Sequence, residues 1–337
     1  MTAPLPSDAY TTLEDMTICR LLNGLWQVSG AHGPINANAA IAQMREYHEA
    51  GLTTWDLADH YGPAEDFIGS FRGRLSADEL TDHLAFTKWV PRPGPMTRAV
   101  VAGAMDVSRE RMRGETLDML QFHWWDYNDT RYLDALDEMA TLRDAGVIRH
   151  LALTNFDTPT LRKITEHGVR IVSNQVQYSI VDRRPEVAMA PYCTTQNIGL
   201  LTYGTLAGGL LTDRYLGQPE PSSSTLNTAS LRKYKQMIDL WGGWALFQEL
   251  LRVLRTIADR YEVSIANVAV RYVLDRPAVA GVIVGARLSV RQHIADNLRV
   301  FGFKLDAEDL AAIHAVTDKS RDLFARIGDT GDEYRRK

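Results

Sequence analysis

The sequence predicts an α/β protein: a single (β/α)8 TIM barrel over residues 1–337, with an N-terminal β-hairpin arm at 1–20. Three observations lead there. Short apolar runs recur eight times, each followed by a loop and an amphipathic helical pattern. These runs lack the strict alternation of half-exposed strands, as expected of parallel strands covered on both faces. The first run leads into GLWQVSGAHG rather than a glycine fingerprint that enters a helix directly, which argues against an open doubly wound sheet.

The elements follow in order. Two β-prone pieces, near 10–13 and 16–21, make the hairpin. Strand candidates then fall at 21–26, 53–57, 84–89, 117–122, 148–153, 171–176, 200–203 and 279–284. The pattern 39–50 carries Ile41, Met44 and His48 on one side and stops at Gly51; 132–145 carries Leu133, Leu136, Met139 and Leu142 and stops at Gly146. Pro63 suits a first helical residue, and Pro185 and Ser289 suit helix starts, the latter with Gln292 as a capping box. Residues 206–244 break the rhythm after the seventh strand with Pro219, Pro221 and a serine-rich run, and read as a long loop acting as a flap or a disordered excursion. Helices at 246–261 and 264–274 precede the last strand, 306–316 closes the barrel, and 318–337 reads as a polar tail.

Composition excludes several classes. A net charge of −5 with interspersed signs offers no footprint for nucleic acid or an anionic membrane. No run approaches the roughly 18 apolar residues that span a bilayer, and the first residues lack a secretory pattern. Cys19 and Cys193 stand apart in no metal-like spacing and read as idle thiols in a reducing compartment, hence the cytoplasm, with no metal site.

Right-handed crossovers bring every strand's carboxyl end to one face, where barrels carry their sites. Asp56 and Tyr61 follow the second strand, Lys88 ends the third and His123 the fourth. Thr154-Asn155, Asn174-Gln175 and Tyr203-Gly204 end the next three. Ionisable groups of opposite sign gathered in one mouth perturb one another's pKa values, the physical signature of a catalytic site. Each alone has an ordinary explanation: a snorkelling lysine, a packed histidine, a loop-capping aspartate, a half-buried tyrosine.

The motifs DLADHYG with Ala64-Glu65, FTK, QFHW, LTNF, NQVQYS, TYGTLAGGLL and VIVGARLSVRQHIADNLRVF run in order from about Leu21 to about Val316. Together they resemble the aldo-keto reductase superfamily. The resemblance implies a catalytic tetrad of Asp56, Tyr61, Lys88 and His123, and a reversible nicotinamide-dependent reduction of a small aldehyde or ketone. Tyr61 would be the general acid, Lys88 held by Asp56 would lower its pKa, and His123 would donate a hydrogen bond to the carbonyl. The resemblance gives Thr154, Asn155 and Gln175 to the nicotinamide carboxamide, Tyr203 to stacking on its ring, and the 204–211 loop, including Gly204, Leu206 and Gly208, to the pyrophosphate. Gly285, Arg287, Arg291 and Asn297 fall at the adenosine end, where a guanidinium suits a 2′-phosphate and favours NADP(H) over NAD(H). Which of the two arginines meets the phosphate stays open.

Trp26, His60, Trp89, Trp124 and Trp125 could wall a substrate pocket, with Trp241 or Trp244 added from the flap. Such walls suit apolar and sugar-like carbonyls alike, and Asp59 and Asp126 hint at a polar substrate. Two rival readings stand beside this one: a nucleotide-sensing regulatory barrel with slow or no turnover, and an isomerase or hydrolase that uses Asp56 and His123 without nicotinamide.

Overall fold

A computed structural model describes residues 5–31, 33–290 and 292–335. Strands β1 (Tyr10–Leu13) and β2 (Met16–Cys19) form an antiparallel hairpin. Eight parallel strands follow: β3 (Leu21–Gly24), β4 (Thr54–Asp56), β5 (Leu84–Trp89), β6 (Leu117–His123), β7 (Ile148–Thr154), β8 (Ser173–Gln177), β9 (Gly199–Tyr203) and β10 (Val279–Gly285). They pair in sequence order, and β10 returns to β3 to close the barrel, as the sequence predicts.

Burial on both faces explains the apolar runs; every residue of β5 is buried. One end of the barrel is stoppered by the hairpin. Leu13, Met16 and Ile18 pack on Leu22, Phe86, Met119 and Leu201 from the strands. Each such fully buried aliphatic side chain stabilises the fold by about 1.5–3 kcal/mol. That end is sealed, so the opposite, carboxyl end is the open mouth.

The helices are set by their caps. Asn36, Thr97, Asp157 and Ser264 each accept a backbone N–H in the first turn of the helix that follows, and Ser76 and Glu79 complete a capping box. The helix Ala64–Arg72 starts one residue after Pro63, with Glu65 and Asp66 in its first turn. Gly69 in that helix lies directly against the Arg111 carbonyl of the helix Arg98–Met112.

Five expectations are revised. The first barrel strand stops at Gly24, and Leu25–Val28 is a 3-10 turn. The long connection after β9 is present, but its second part is the helix Ala229–Trp241, capped by Thr228 and buried along Tyr234, Met237, Ile238 and Trp241. Ser289 does not start a helix. It sits at φ +63 and accepts the Asn36 amide proton, while Gln292 donates to Glu46, and the short helix begins at Ile294. Pro185 opens a 3-10 turn, Arg184–Glu186, and the helix itself starts at Met189. The stretch read as a polar tail contains the helix Leu323–Ile327 and the turn Asp332–Tyr334, folded back onto the mouth.

Candidate active site

Strand alternation decides which side chains enter the barrel. Lys88 points inward at the end of β5, paired in register with Gln121 of β6, and Asp56 points inward at the end of β4. The Lys88 ammonium donates to both Asp56 oxygens, at 2.7 and 2.7 Å, and to the Leu57 carbonyl at 2.9 Å. Those are all three of its donors. Lys88 is 2% and Asp56 4% exposed, so the two neutralise one another where neither could stand alone. Burial pulls the Lys88 pKa down, and the Asp56 charge opposes that.

Gln121, two residues before His123 on the same inward face, donates to Asp56 Oδ1 at 2.9 Å. Gln175 donates to the same oxygen at 2.6 Å and to Gln121 Oε1 at 2.6 Å. Gln121 has no expected role from the motif QFHW, and its i−2 spacing from His123 is the sequence signal that places it in the barrel.

Tyr61 is half-buried on the loop after β4, with the Lys88 ammonium 5.1 Å from its ring centroid. Burial pushes its phenol well above 10, and Asp56, Tyr334 and Asp59 push in the same direction. The net shift is therefore upward, not the lowering expected from Lys88, because burial dominates and the lysine's donors are taken by Asp56 and Leu57. His123 is 3% exposed and neither ring nitrogen has a partner. Burial, with Arg335, His60 and Lys88 nearby, pulls its pKa down to about 3. At neutral pH the mouth thus holds a protonated phenol and a neutral imidazole with an unused N–H.

The aromatic surroundings differ from the wall read in the sequence. Trp26 meets Tyr61 edge-on at 5.0 Å, and the exposed His60 ring lies 4.8 Å from it, its Nδ1 bonded to Asp59 at 2.7 Å. Trp89, Trp124 and Trp241 are not in the mouth. Trp89 follows the inward Lys88, so it faces the helices and packs on Phe122. Trp124 donates its indole N–H to the carbonyls of Asp126 and Asp129, and Trp241 is 2% exposed in the core. Trp244 is tied to the Gln218 carbonyl. Trp125, 48% exposed, stands 4.2 Å from the His123 ring instead. Asp126 caps the Asn128 amide.

Thr154, Asn155, Gln175 and Tyr203 are brought together, since His123 pairs with Thr154, Thr154 with Gln175, and Gln177 with Tyr203. Thr154 Oγ1 is buried and unpartnered, an open hydrogen-bonding position. Asn155 holds φ +58, and its Oδ1 accepts from the Tyr203 hydroxyl at 2.7 Å. The next loop coils tightly: the Gly204 carbonyl accepts from Ala207, and the Leu206 carbonyl from Gly209 and Leu211. Gly208 takes φ +67, and a Cβ there would meet the Tyr234 ring at 2.8 Å and the Ser230 carbonyl at 3.0 Å, so the loop packs closely on the helix Ala229–Trp241 only with glycine. An unpartnered buried hydroxyl fits a carboxamide, and a tightly coiled, glycine-rich loop fits a phosphate. At the far end Gly285 pairs with Gly24, Arg287 is exposed, and Asn297 is half-buried on the helix Ile294–Leu298. Arg291 lies outside the described residues.

Fold and mouth together define a (β/α)8 barrel whose ionisable side chains gather at the carboxyl ends of its strands. The sequence profile of the aldo/keto reductase family matches residues 20–318, and the chain belongs to that family of oxidoreductases. Among its relatives is the NADH-specific methylglyoxal reductase of Escherichia coli, 20% identical over 90% of this chain and 96% of that one. Flagellar radial spoke protein 5 of Chlamydomonas reinhardtii is 26% identical over 65% of this chain, which spans about half of that protein (49%). The solved structure of the glycerol dehydrogenase AKR11B4 from Gluconobacter oxydans has the same fold, with a TM-score of 0.77 at 22% identity over 96% of this chain and 98% of that one. Among the described residues no helix is long and apolar enough to cross a membrane.

Proposed function

We propose that this protein is an NADP(H)-dependent aldo-keto reductase that interconverts a small aldehyde or ketone and its alcohol, with Tyr61 as general acid and base. The observation that carries this is the pairing of a protonated phenol with an unpartnered neutral imidazole beside a buried ion pair. Bound nicotinamide supplies the hydride. Tyr61 gives its proton to the carbonyl oxygen as negative charge grows there. The Lys88 ammonium, 5.1 Å from the ring, favours the phenolate left behind, and Asp56 holds that ammonium in place. His123 donates its free N–H to the same oxygen, and its low pKa keeps it neutral, so it orients the carbonyl without competing as an acid. Thr154, Asn155, Gln175 and Tyr203 would hold the carboxamide and ring, and the loop from Gly204 through Leu206 to Gly208 the phosphates. Trp26, His60 and Trp125 would border the substrate.

The preference for NADP(H) rests on Arg287, with Gly285 and Asn297 beside it and Arg291 following, because a guanidinium meets a 2′-phosphate in two parallel hydrogen bonds. A relative named for NADH specificity makes this the sharper part of the reading. The two cysteines, both free and buried, fit a reducing compartment such as the cytoplasm.

Tryptophan fluorescence titration with NADPH and with NADH tests the reading, in the wild type and in Arg287→Ala. The expected result is quenching by both, tighter for NADPH, with Arg287→Ala weakening NADPH by roughly 10- to 100-fold, as loss of a charge-assisted pair implies, and NADH little. Equal losses would remove Arg287 from the phosphate site. No quenching by either cofactor would return the barrel to the isomerase reading.

A further inference from the structure

Residues 329–335 close over the quarter of the mouth formed by β7 to β9. Their anchor is the Arg184 side chain, 1% exposed. Its guanidinium forks onto both oxygens of Asp182, at 2.8 and 2.8 Å, and reaches the Asp329 carbonyl at 3.0 Å and Glu333 Oε2 at 2.9 Å. Asp329 also accepts from the Thr158 amide at 2.8 Å. With that foot fixed, the turn Asp332–Tyr334 carries Tyr334 into the mouth.

There the Tyr334 hydroxyl lies 2.9 Å from that of Tyr203 and accepts from the Lys233 ammonium, which also sits 4.3 Å over the Tyr334 ring. Tyr203 in turn donates to Asn155 Oδ1. The donors run one way, from Lys233 through Tyr334 and Tyr203 to Asn155. The Tyr334 ring stands edge-on to His123 at 6.4 Å. Arg335 pins the far side, donating to the Trp124 carbonyl at 3.1 Å and lying 3.8 Å over the Tyr127 ring.

We propose that residues 329–335 are an autoinhibitory strap: docked, they place Tyr334 on the hydrogen-bonding edge of Tyr203 and Asn155, and binding of a nicotinamide cofactor requires Tyr334 to swing out. The inference rests on the reading that Tyr203 and Asn155 hold the nicotinamide. The strap is built to leave without stranding a charge. Arg184 keeps Asp182 when Glu333 departs, and Lys233 keeps the rings of Tyr203 and Tyr234, each 5.3 Å away. Two arrangements of similar energy are what a switch of this kind needs.

A docked fraction raises the apparent dissociation constant in proportion. The test is NADPH titration, read by tryptophan quenching, of the full chain, of a chain truncated after Asp332, and of Tyr334→Ala. Each is checked for an unchanged melting transition. Both variants should bind roughly tenfold tighter than the full chain, the factor expected where about nine in ten molecules are strapped. In the full chain, NADPH should also increase amide exchange at 332–335. Unchanged or weaker binding in both variants, or protection of 332–335 by NADPH, overturns the strap and leaves the cofactor reading standing. Absence of nicotinamide binding in all three chains overturns the cofactor reading, and the strap falls with it.

Discussion

Lys88 commits every N–H it has to Asp56 and the Leu57 carbonyl, so it offers Tyr61 a charge beside its ring rather than a hydrogen bond. Buried, the phenol rests protonated, as the proposed role of proton donor requires. On the proposed assignment, Tyr61→Phe should lower kcat/KM by at least roughly 100-fold and leave NADPH binding nearly unchanged, since the ring remains and only the proton is lost. Steady-state kinetics beside a binding titration would decide it, and near-normal turnover would sink the assignment. At this scale much was legible. Asp56 and His123 end their strands, Lys88 is the last but one of its own, and a two-residue period carries Lys88 and His123 inward. That period turns Trp89, one residue from an inward Lys88, away from the pocket its sequence position suggests, and it brings Gln121 in step with His123. What could not be read was the sign of the Tyr61 shift, because it depends on how deeply the phenol is buried and on which partner Lys88 chooses.

Elements were legible in proportion to how local their causes are. The run 84–89 is the observed β5, Leu84–Trp89, because continuous burial writes itself as continuous apolarity. The helix Ala229–Trp241 carried a local signal too, in the Thr228 cap and the buried series Tyr234, Met237, Ile238 and Trp241, but the prolines and serines before it masked the period. Residues 329–335 carried none. Their partners, Arg184, Tyr203 and Lys233, are distant in sequence, and polar residues look alike whether they meet water or a buried guanidinium. The contact between the helices Ala64–Arg72 and Arg98–Met112 belongs to this scale as well. Alanine has the higher helix propensity, yet at position 69 its methyl would be driven into the Arg111 carbonyl. Gly69→Ala should therefore destabilise by about 1–3 kcal/mol, the usual cost of overpacking, in place of the gain of nearly 1 kcal/mol expected at an open helical site. Urea denaturation of the two proteins measures it, and a more stable variant would show that the crossing can relax.

For the whole molecule, buried imidazoles shape how stability responds to mild acid, and two of them are shifted most. His83 and His123 are 2% and 3% exposed, none of their ring nitrogens has a partner, and burial pulls each pKa from 6.5 down to about 3. The native state binds fewer protons than the unfolded chain between those values. Their contribution is therefore complete above pH 6.5 and is lost as pH falls toward 3, by about 1.4 kcal/mol per pH unit for each group. Denaturation at pH 7.5 and 5.5 should show the drop, and His83→Leu should remove about half of the part of the slope that His83 and His123 contribute. An identical slope in the variant would mean that His83 is protonated in the folded protein. Barrel closure has a different kind of consequence. The strand β3 leans on β10, and everything between Gly24 and Val279 must be synthesised before the two can meet. At roughly 5–20 residues per second, one row of β3 backbone groups stays unpaired on the ribosome for on the order of tens of seconds. A nascent chain of this design is therefore open to strand pairing with its neighbours on a polysome throughout that interval, and its yield in a cell should depend on chaperones that cover that edge.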